Sequence, residues 1–441
     1  MNKLSYLPED SITIHYPEAV KWRRKLHQNA QSAWLEFYAT AFVAEKLSDW
    51  GYDLKLGRDI IATDHQLLPP DEATLKRESK RAIAAGAIAD YVAKAAGGFT
   101  GVVATILGPK PGPTIGFRFD IDSNDVTEST SDNHRPFVEG FLSNEQGYAH
   151  LCGHDVHTAM GLLLAKYFSD NRDKIQGKIK FIFQPNEENM SGALAMAEKG
   201  VVDDLDYLFG GHVGLNITQT GHIAVNVHSF LALSRFEVTF SGRSAHAAVR
   251  PEDGKNALLG ACAAITNLYA IARHSSGASR INVGVVKAGD SWNVIPDKAY
   301  FWLETRGETN EINDYMVKKA KEVLAGAASM YDLECDIKPA ATGLTGKNDP
   351  ELVDLATTVA EKLPSVLKVW PEVSLNASED CTVFMDRVQS HGGKALFAVY
   401  GTPTYGGHHH SQFDVDERVI QNGAEFLSAL YHEIIRSHES L

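Results

Sequence analysis

Between residues 101 and 213 the chain alternates short apolar runs with helical rhythms, and acidic residues and histidines fall just after the apolar runs. Residues 101–107 and 114–119 read as strands split by Gly-Pro-Lys-Pro-Gly-Pro; helix 157–169, strand 178–183, helix 191–199 and strand 206–212 follow. Such alternation commits the segment to an α/β fold with a largely parallel central sheet. It also predicts where chemistry gathers, because ligands in open α/β sheets bind outside the carboxyl ends of the strands. Asp120 and Asp122 end one strand, Glu187 and Glu188 follow Phe181-Ile182-Phe183-Gln184-Pro185, and His212 follows Tyr207-Leu208-Phe209. These residues can therefore converge on one crevice.

Elsewhere the pattern differs. Residues 18–50 carry a helical rhythm with a basic first turn (Lys21, Arg23, Arg24, Lys25), residues 54–80 read as an irregular insertion, and a helix at 82–95 ends at Gly97-Gly98. From 218 to 337, strands 222–227 and 232–241 precede helix 254–273, and strands 281–287 and 298–305 precede helix 310–330. That order suits a small α+β layer domain. The α/β pattern resumes with helices 350–362 and 378–388, strand 395–400 and helix 415–436. A chain of 441 residues exceeds one compact core. The simplest organisation is a catalytic domain formed by 1–217 and 338–441, with 218–337 inserted into it.

Composition narrows the function classes. Apolar content of 44% and charged content of 22% are those of a folded soluble chain. A net charge of -14 argues against nucleic acid or an anionic membrane as partner. Four cysteines at 152, 262, 335 and 381 show no disulfide spacing, which suits a reducing cytoplasm. No apolar run reaches the length of a membrane span, and the first residues lack the apolar stretch of a secretory signal.

The densest chemistry is His150-Leu-Cys-Gly-His-Asp-Val-His157. Cys152 and His154 flank Gly153, whose freedom lets both side chains turn toward one ion. His150, Asp155 and His157 are better placed to orient these two from outside. Adjacent Glu187 and Glu188 can divide labour, one binding a metal and the other moving a proton to or from water. With His212 and the run His408-His409-His410, the set supplies the soft, borderline and hard donors of a catalytic divalent-metal centre. Alone, each has a plainer reading. Cys152 could be a buried thiol, Glu187-Glu188 a solvated pair, His212 a core histidine and the histidine run a surface loop. A structural zinc knuckle is disfavoured, since no Cys-x-x-Cys pair exists. In the inserted segment, His246 could donate to a developing oxyanion, although a capping or surface role is the simpler reading. Arg306, Asn293 and Arg280 are candidate carboxylate anchors, against which a surface salt bridge is the simpler reading for an Arg.

The motifs Phe117-Arg118-Phe119-Asp120-Ile121-Asp122, His150 to Thr158, Phe183-Gln184-Pro185-Asn186-Glu187-Glu188 and Gly211-His212-Val213 occur in one order. His246-Ala-Ala, Asn293-Val-Ile-Pro296, Ser378-Glu-Asp380 and His409 four residues before Phe413 complete it. In this ordered set the chain resembles the metal-dependent amidohydrolases of the aminoacylase, carboxypeptidase and hippurate hydrolase superfamily, over nearly its whole length. The segment 55–98 and Arg250-Pro-Glu-Asp-Gly-Lys-Asn resemble the branch that splits p-aminobenzoyl-glutamate, a folate breakdown product.

The resemblance implies a two-domain fold: a di-metal catalytic α/β domain with an inserted α+β dimerisation or lid domain. It implies metal ligation by Cys152, His154, Glu188, His212 and His409, with Glu187 as general base and acid. Two divalent ions follow, with Mn²⁺ favoured and Zn²⁺ the alternative. It implies a homodimer through the inserted domain, with His246 reaching the active site of the partner, or a heteromer with a paralogous B-type subunit. The expected substrate is an N-acyl-glutamate, first p-aminobenzoyl-glutamate. A broader deacylase of hippurate or indole-acyl conjugates is one alternative, and a non-catalytic metal-binding chain of a heteromeric hydrolase is another. Three features depart from the family pattern: Asn186 stands where Ala is usual, the C-terminal motif has three histidines rather than two, and the glycine-rich run after Glu188 shrinks to Asn189-Met190-Ser191-Gly192.

Overall fold

A computed structural model describes residues 9–439. The chain divides into two compact units, one of residues 1–228, 346–375 and 380–441, the other of residues 229–345 and 376–379.

The first unit is built on an eight-stranded sheet. Its strands are β1 (Asp53–Leu56), β2 (Val102–Leu107), β3 (Lys110–Asp120), β4 (Gln176–Gln184), β5 (Tyr207–Val213), β6 (His222–Ala224), β7 (Lys368–Trp370) and β8 (Lys394–Tyr400). Their order across the sheet is β1-β2-β4-β3-β5-β8-β6-β7. The four central strands β4, β3, β5 and β8 run parallel, while β1 and β2 add antiparallel at one side and β6 pairs antiparallel with β8 at the other. The parallel core places the carboxyl ends of β3, β4 and β5 side by side.

Helix α3 (His154–Asp170) carries three consecutive leucines, Leu162, Leu163 and Leu164, all fully buried. A helix can bury three neighbours in a row only when it is covered on most sides. Here α1 (Glu9–Gln28), α4 (Arg418–Glu439) and β3 surround it. Burial of each leucine contributes about 2 kcal/mol, which anchors the helix whose first turn carries the histidines.

Three local expectations differ from the structure. The rhythm over 18–50 is split: α1 ends at Gln28 and α2 (Phe37–Asp49) begins nine residues later. Between them Trp34, at φ +62, turns its buried ring inward and its Nε1 donates to Leu67 O at 2.9 Å. Within 54–80, expected to be irregular, a helix spans Glu72–Ala84, because Asp71 caps it by accepting from Thr74 N. The helix expected at 82–95 is reduced to Ala89–Lys94.

The second unit is a four-stranded antiparallel sheet in the order Glu334–Gly343, Ala232–Ser241, Lys298–Gly307, Ser279–Ala288. Helices Ala257–Tyr269 and Asn310–Met330 pack on it through Val238, Phe240, Phe301, Leu303, Leu268 and Met316. The limits of this unit differ from 218 and 337. β6 pairs with β7 and β8 and so belongs to the first unit, and strand Glu334–Gly343 runs on past 337 in register with Ala232–Ser241. Pro339 interrupts that strand's pattern, and the register shifts beside it, which hid the strand from the sequence pattern.

Candidate metal centre

Gly153 opens the site. It caps α3 at φ +96, and a side chain there would place Cβ 2.6 Å from Val213 Cγ2. Only glycine allows this left-handed turn so close to β5. The turn presents Cys152 and His154 to the ends of β3, β4 and β5.

Cys152 Sγ lies 3.4 Å from His212 Nε2. His212 donates from Nδ1 to Val213 O at 2.8 Å, so Nε2 faces the thiol as a lone pair. His154 Nδ1 pairs with Asp122 Oδ1 at 3.0 Å, and its Nε2 lies 3.9 Å from both Glu187 Oε2 and Glu188 Oε1. Glu188 Oε2 lies 3.2 Å from His409 Nε2, and its backbone N–H donates to Asp122 Oδ2 at 2.9 Å. Asp122 thus orients a histidine and a carboxylate at once. Cys152, Glu188 and His409 form one close group, His154, Glu187 and Glu188 a second, and Cys152, His212 and His408 a third. All five expected ligands and Glu187 are brought together.

Two other histidines are differently employed. His157 donates from Nδ1 to Asp120 and accepts from Val213 N at 2.9 Å, so both ring nitrogens are occupied. His408 Nε2 donates to Val213 O at 3.2 Å, while His409, at φ +62, is turned to Glu188.

The electrostatics fit a cation site. Burial raises the Cys152 thiol well above its usual value, reinforced by Glu188 and Glu187. Burial opposes charging His154, but Asp120 and Asp122 outweigh it and raise it to about 10. Burial with His157 and His408 nearby holds His212 well below its usual value. His154 Nε2 and Glu188 Oε1 are buried with no hydrogen-bond partner. Such atoms are costly unless something binds them. A thiol, three imidazoles and paired carboxylates in overlapping close groups suit divalent ions, which would also reverse the thiol's preference by holding it as thiolate.

Beyond Asp120, Asp122, Asp155 and His157, which the strand ends and the histidine-rich run mark, several supporting residues carry little or no sequence signal. Arg23, from the basic first turn of the 18–50 rhythm, is fully buried and donates to Asp155 Oδ2 at 2.7 Å and Asp414 Oδ1 at 2.9 Å. His27 lies between Asp155 at 2.9 Å and Glu128 at 2.8 Å. Arg118 ties Gln184, Asp120 and Asp380 together. The only sequence signal for Arg118 was its place two residues before Asp120 on an apolar strand.

The remaining candidates lie in the second unit. His246 Nδ1 accepts from Ala248 N and Val249 N, both at 3.2 Å, and residue 246 bridges to Val294. Asn293 O accepts from Ala247 N at 2.9 Å, so His246 and Asn293 share one loop pair. Arg280 and Arg306 face each other across neighbouring strands at the other end of the sheet. Ala288 lies eight steps along the strand from Arg280, roughly 25 Å at the usual rise. The three anchor candidates therefore do not gather within one copy, because antiparallel pairing puts Arg280 and Arg306 at one end and Asn293 at the other. Arg306 Nε is engaged by Glu304 Oε1 at 2.7 Å.

The family model for peptidase family M20/M25/M40 matches residues 116–433. The chain is 44% identical over 413 residues to indole-3-acetyl-aspartic acid hydrolase of Enterobacter agglomerans, covering 93% of this chain and 94% of that protein. It is 42% identical over 413 residues, at the same coverage, to the A-type subunit of p-aminobenzoyl-glutamate hydrolase from Escherichia coli K12. Among solved structures it superposes on an aminobenzoyl-glutamate utilization protein from Klebsiella pneumoniae with TM-score 0.83 and 37% identity, over 96% of this chain and 97% of that one.

Proposed function

The chain belongs to peptidase family M20/M25/M40, and on that premise we propose that it is a metal-dependent amidohydrolase that releases an acidic amino acid from an aryl-acyl conjugate, with p-aminobenzoyl-glutamate as the leading substrate. The observation that carries this reading is Glu187 standing beside the convergent donors Cys152, His154, Glu188, His212 and His409. Those five residues would hold two divalent ions, Mn²⁺ in the first instance and Zn²⁺ as the alternative. Bound there, the ions supply Lewis acidity, which acidifies water and polarises a carbonyl. Glu187 takes the proton from the attacking water and returns it to the amide nitrogen as the C–N bond breaks. The products are a free aryl carboxylate and the amino acid.

The names of two relatives support the substrate class. One acts on an indole-acyl aspartate and the other on an aminobenzoyl glutamate, and both pair an aromatic acyl group with an acidic amino acid. His246 and Asn293 are assigned to oxyanion and carboxylate recognition; Arg280 and Arg306 remain weaker candidates for the same carboxylate. Dimerisation is assigned to the second unit, where strand Ser279–Ala288 has one sheet neighbour and Val286, Leu259 and Tyr269 are exposed. An edge of this kind invites pairing. Since one relative is named as the A-type chain of its hydrolase, a second, B-type chain is an alternative partner. Among the described residues no helix is long and apolar enough to cross a membrane. None of the four cysteines is in a disulfide, which suits the cytoplasm.

The test is turnover and metal content of the chain purified alone. Release of glutamate from p-aminobenzoyl-glutamate, with about two metal equivalents, is expected. Glu187→Gln should keep the metal and lose about 10²–10⁴ in kcat, the usual worth of positioned acid–base groups. Full activity of that variant overturns the mechanism. Faster turnover of indole-3-acetyl-aspartate or hippurate than of p-aminobenzoyl-glutamate replaces the leading substrate.

A further inference from the structure

Glu187 stands on an irregular turn whose geometry is set from both sides by buried carboxyl groups. On the far side, Asp122 accepts from Glu188 N. On the near side, Glu36 Oε1 accepts from Asn186 N at 2.8 Å. Glu36 is fully buried at the start of α2, outside the segment 116–433 matched by the family model. Its other oxygen, Oε2, accepts from Thr100 Oγ1 at 2.6 Å. Its backbone carbonyl accepts from Thr40 N, and Thr40 Oγ1 in turn accepts from Gly101 N at 2.8 Å.

The turn needs such a hold. Asn186 and Met190 both have positive φ, at +54 and +58, conformations that side-chain-bearing residues adopt at a cost. Asn186 Nδ2 donates to Ser191 Oγ at 2.7 Å, and Glu187 O accepts from Met190 N at 2.6 Å, which closes the turn on itself. Those contacts fix its shape. Glu36 and Asp122 in turn tie it to the start of α2 and to the chain just beyond β3. A buried carboxyl is costly unless it is hydrogen-bonded. Here the bond reaches the residue immediately before Glu187.

We propose that Glu36 is a positioning residue for Glu187: by accepting the Asn186 N–H it holds the 186–188 turn where the Glu187 carboxylate meets the site. This rests on the reading of Glu187 as the proton carrier. Misplacing a reacting group by about 1 Å can cost on the order of 10²-fold in rate. Burial, with Asp122 nearby, raises the Glu36 carboxyl to about 8. In Glu36→Gln the carbonyl oxygen can still accept from Asn186 N, while the NH2 donates to Thr100 Oγ1 with the sense of that second bond reversed.

The experiment uses the metal-loaded full-length protein and two readouts. Backbone hydrogen exchange of the peptide spanning 184–192 reports the turn without any substrate; kcat and KM on p-aminobenzoyl-glutamate report chemistry. Glu36→Leu is expected to speed exchange in that peptide at least tenfold and lower kcat 10- to 100-fold, with KM within threefold and metal content retained. Glu36→Gln is expected to restore both readouts to within about threefold of the parent. Parent-like exchange in Glu36→Leu overturns the proposal, as does a kcat loss that Glu36→Gln fails to rescue. If Glu36→Leu does not accumulate, Thr100→Val decides. It frees the other carboxyl oxygen and should speed exchange in the same peptide, whereas unchanged exchange overturns the proposal. A parent protein inactive on every substrate refutes the functional reading alone, because the exchange arm still reports whether Glu36 holds the turn.

Discussion

His27 provides the sharpest test of how the surrounding residues support the centre. It is fully buried, with Nδ1 2.9 Å from Asp155 Oδ2 and Nε2 2.8 Å from Glu128 Oε1. Burial disfavours its charged form, but Glu128 and Asp155 outweigh that and raise it from 6.5 to about 9. Arg23 and His150 also face it and push the other way or bear on the same Asp155. A tenfold change in proton affinity is worth about 1.4 kcal/mol, so the gap corresponds to about 3 kcal/mol of stability. The sign is fixed by linkage. The folded protein binds this proton more tightly than the unfolded chain, so the contribution is complete below about pH 6.5 and disappears as pH rises through about 9. On the acid side Glu128, held down to about 2 chiefly by His27 against its own burial, contributes above about pH 4.5 and loses that contribution as pH falls toward 2. Both are views of one interaction and are not added.

The perturbation is His27→Gln, which can donate to one carboxylate but cannot carry the charge. Urea unfolding of parent and variant, followed by the fluorescence of the first unit's tryptophans at pH 6, 7.5 and 9.5, gives the comparison. At pH 6 the variant should be less stable by about 3–5 kcal/mol, as when one partner of a buried ion pair is removed. At pH 9.5 the difference should narrow by about 2–3 kcal/mol, because the parent has lost most of its advantage. A difference that stays constant from pH 6 to 9.5 would refute the reasoning, since it would mean that His27 is neutral throughout and acts by packing alone.

Other consequences can be checked directly. Gly153→Ala places a methyl 2.6 Å from Val213 Cγ2 at φ +96 and should cost about 1–3 kcal/mol, read as a lower Tm, with weakened metal retention on dialysis. Asp122→Ala releases both His154 Nδ1 and Glu188 N, and should weaken metal affinity about 10- to 100-fold by competition with a chelating dye. His409→Ala should lose about one metal equivalent, whereas His408→Ala, whose Nε2 is committed to Val213 O, should keep both; the reverse pattern would reassign the ligand. Dialysis against a chelator should lower Tm in proportion to the logarithm of metal affinity, and re-addition of Mn²⁺ or Zn²⁺ should restore it.

The candidate donors that the fold brings together were legible in the sequence because all but His409 are announced locally. Cys152 and His154 flank a glycine, and Glu187, Glu188 and His212 follow apolar strands, so the parallel sheet rule alone makes them converge. His409 is marked only by its spacing from Phe413, and three successive histidines blur that mark until the backbone turn at φ +62 aims one of them at Glu188. Much of what supports the donors is invisible for a physical reason. Arg23, His27 and Glu36 look like polar residues on an amphipathic amino-terminal helix and the turn after it, where polar side chains ordinarily face solvent. They are buried because their partners lie far away in sequence, at Asp155, Asp414, Glu128 and Asn186. Periodicity records which face of an element is apolar; it carries no record of a charge matched across the fold. The same limit bears on the edges of the second unit, where strand Glu334–Gly343 continues past the break at Pro339 by pairing with Ala232–Ser241. Local pattern therefore finds the atoms that could touch a metal, while the atoms that decide where those donors stand follow only from the tertiary structure. Glu36, with its partner on the turn before Glu187, is where that difference can be measured as a rate.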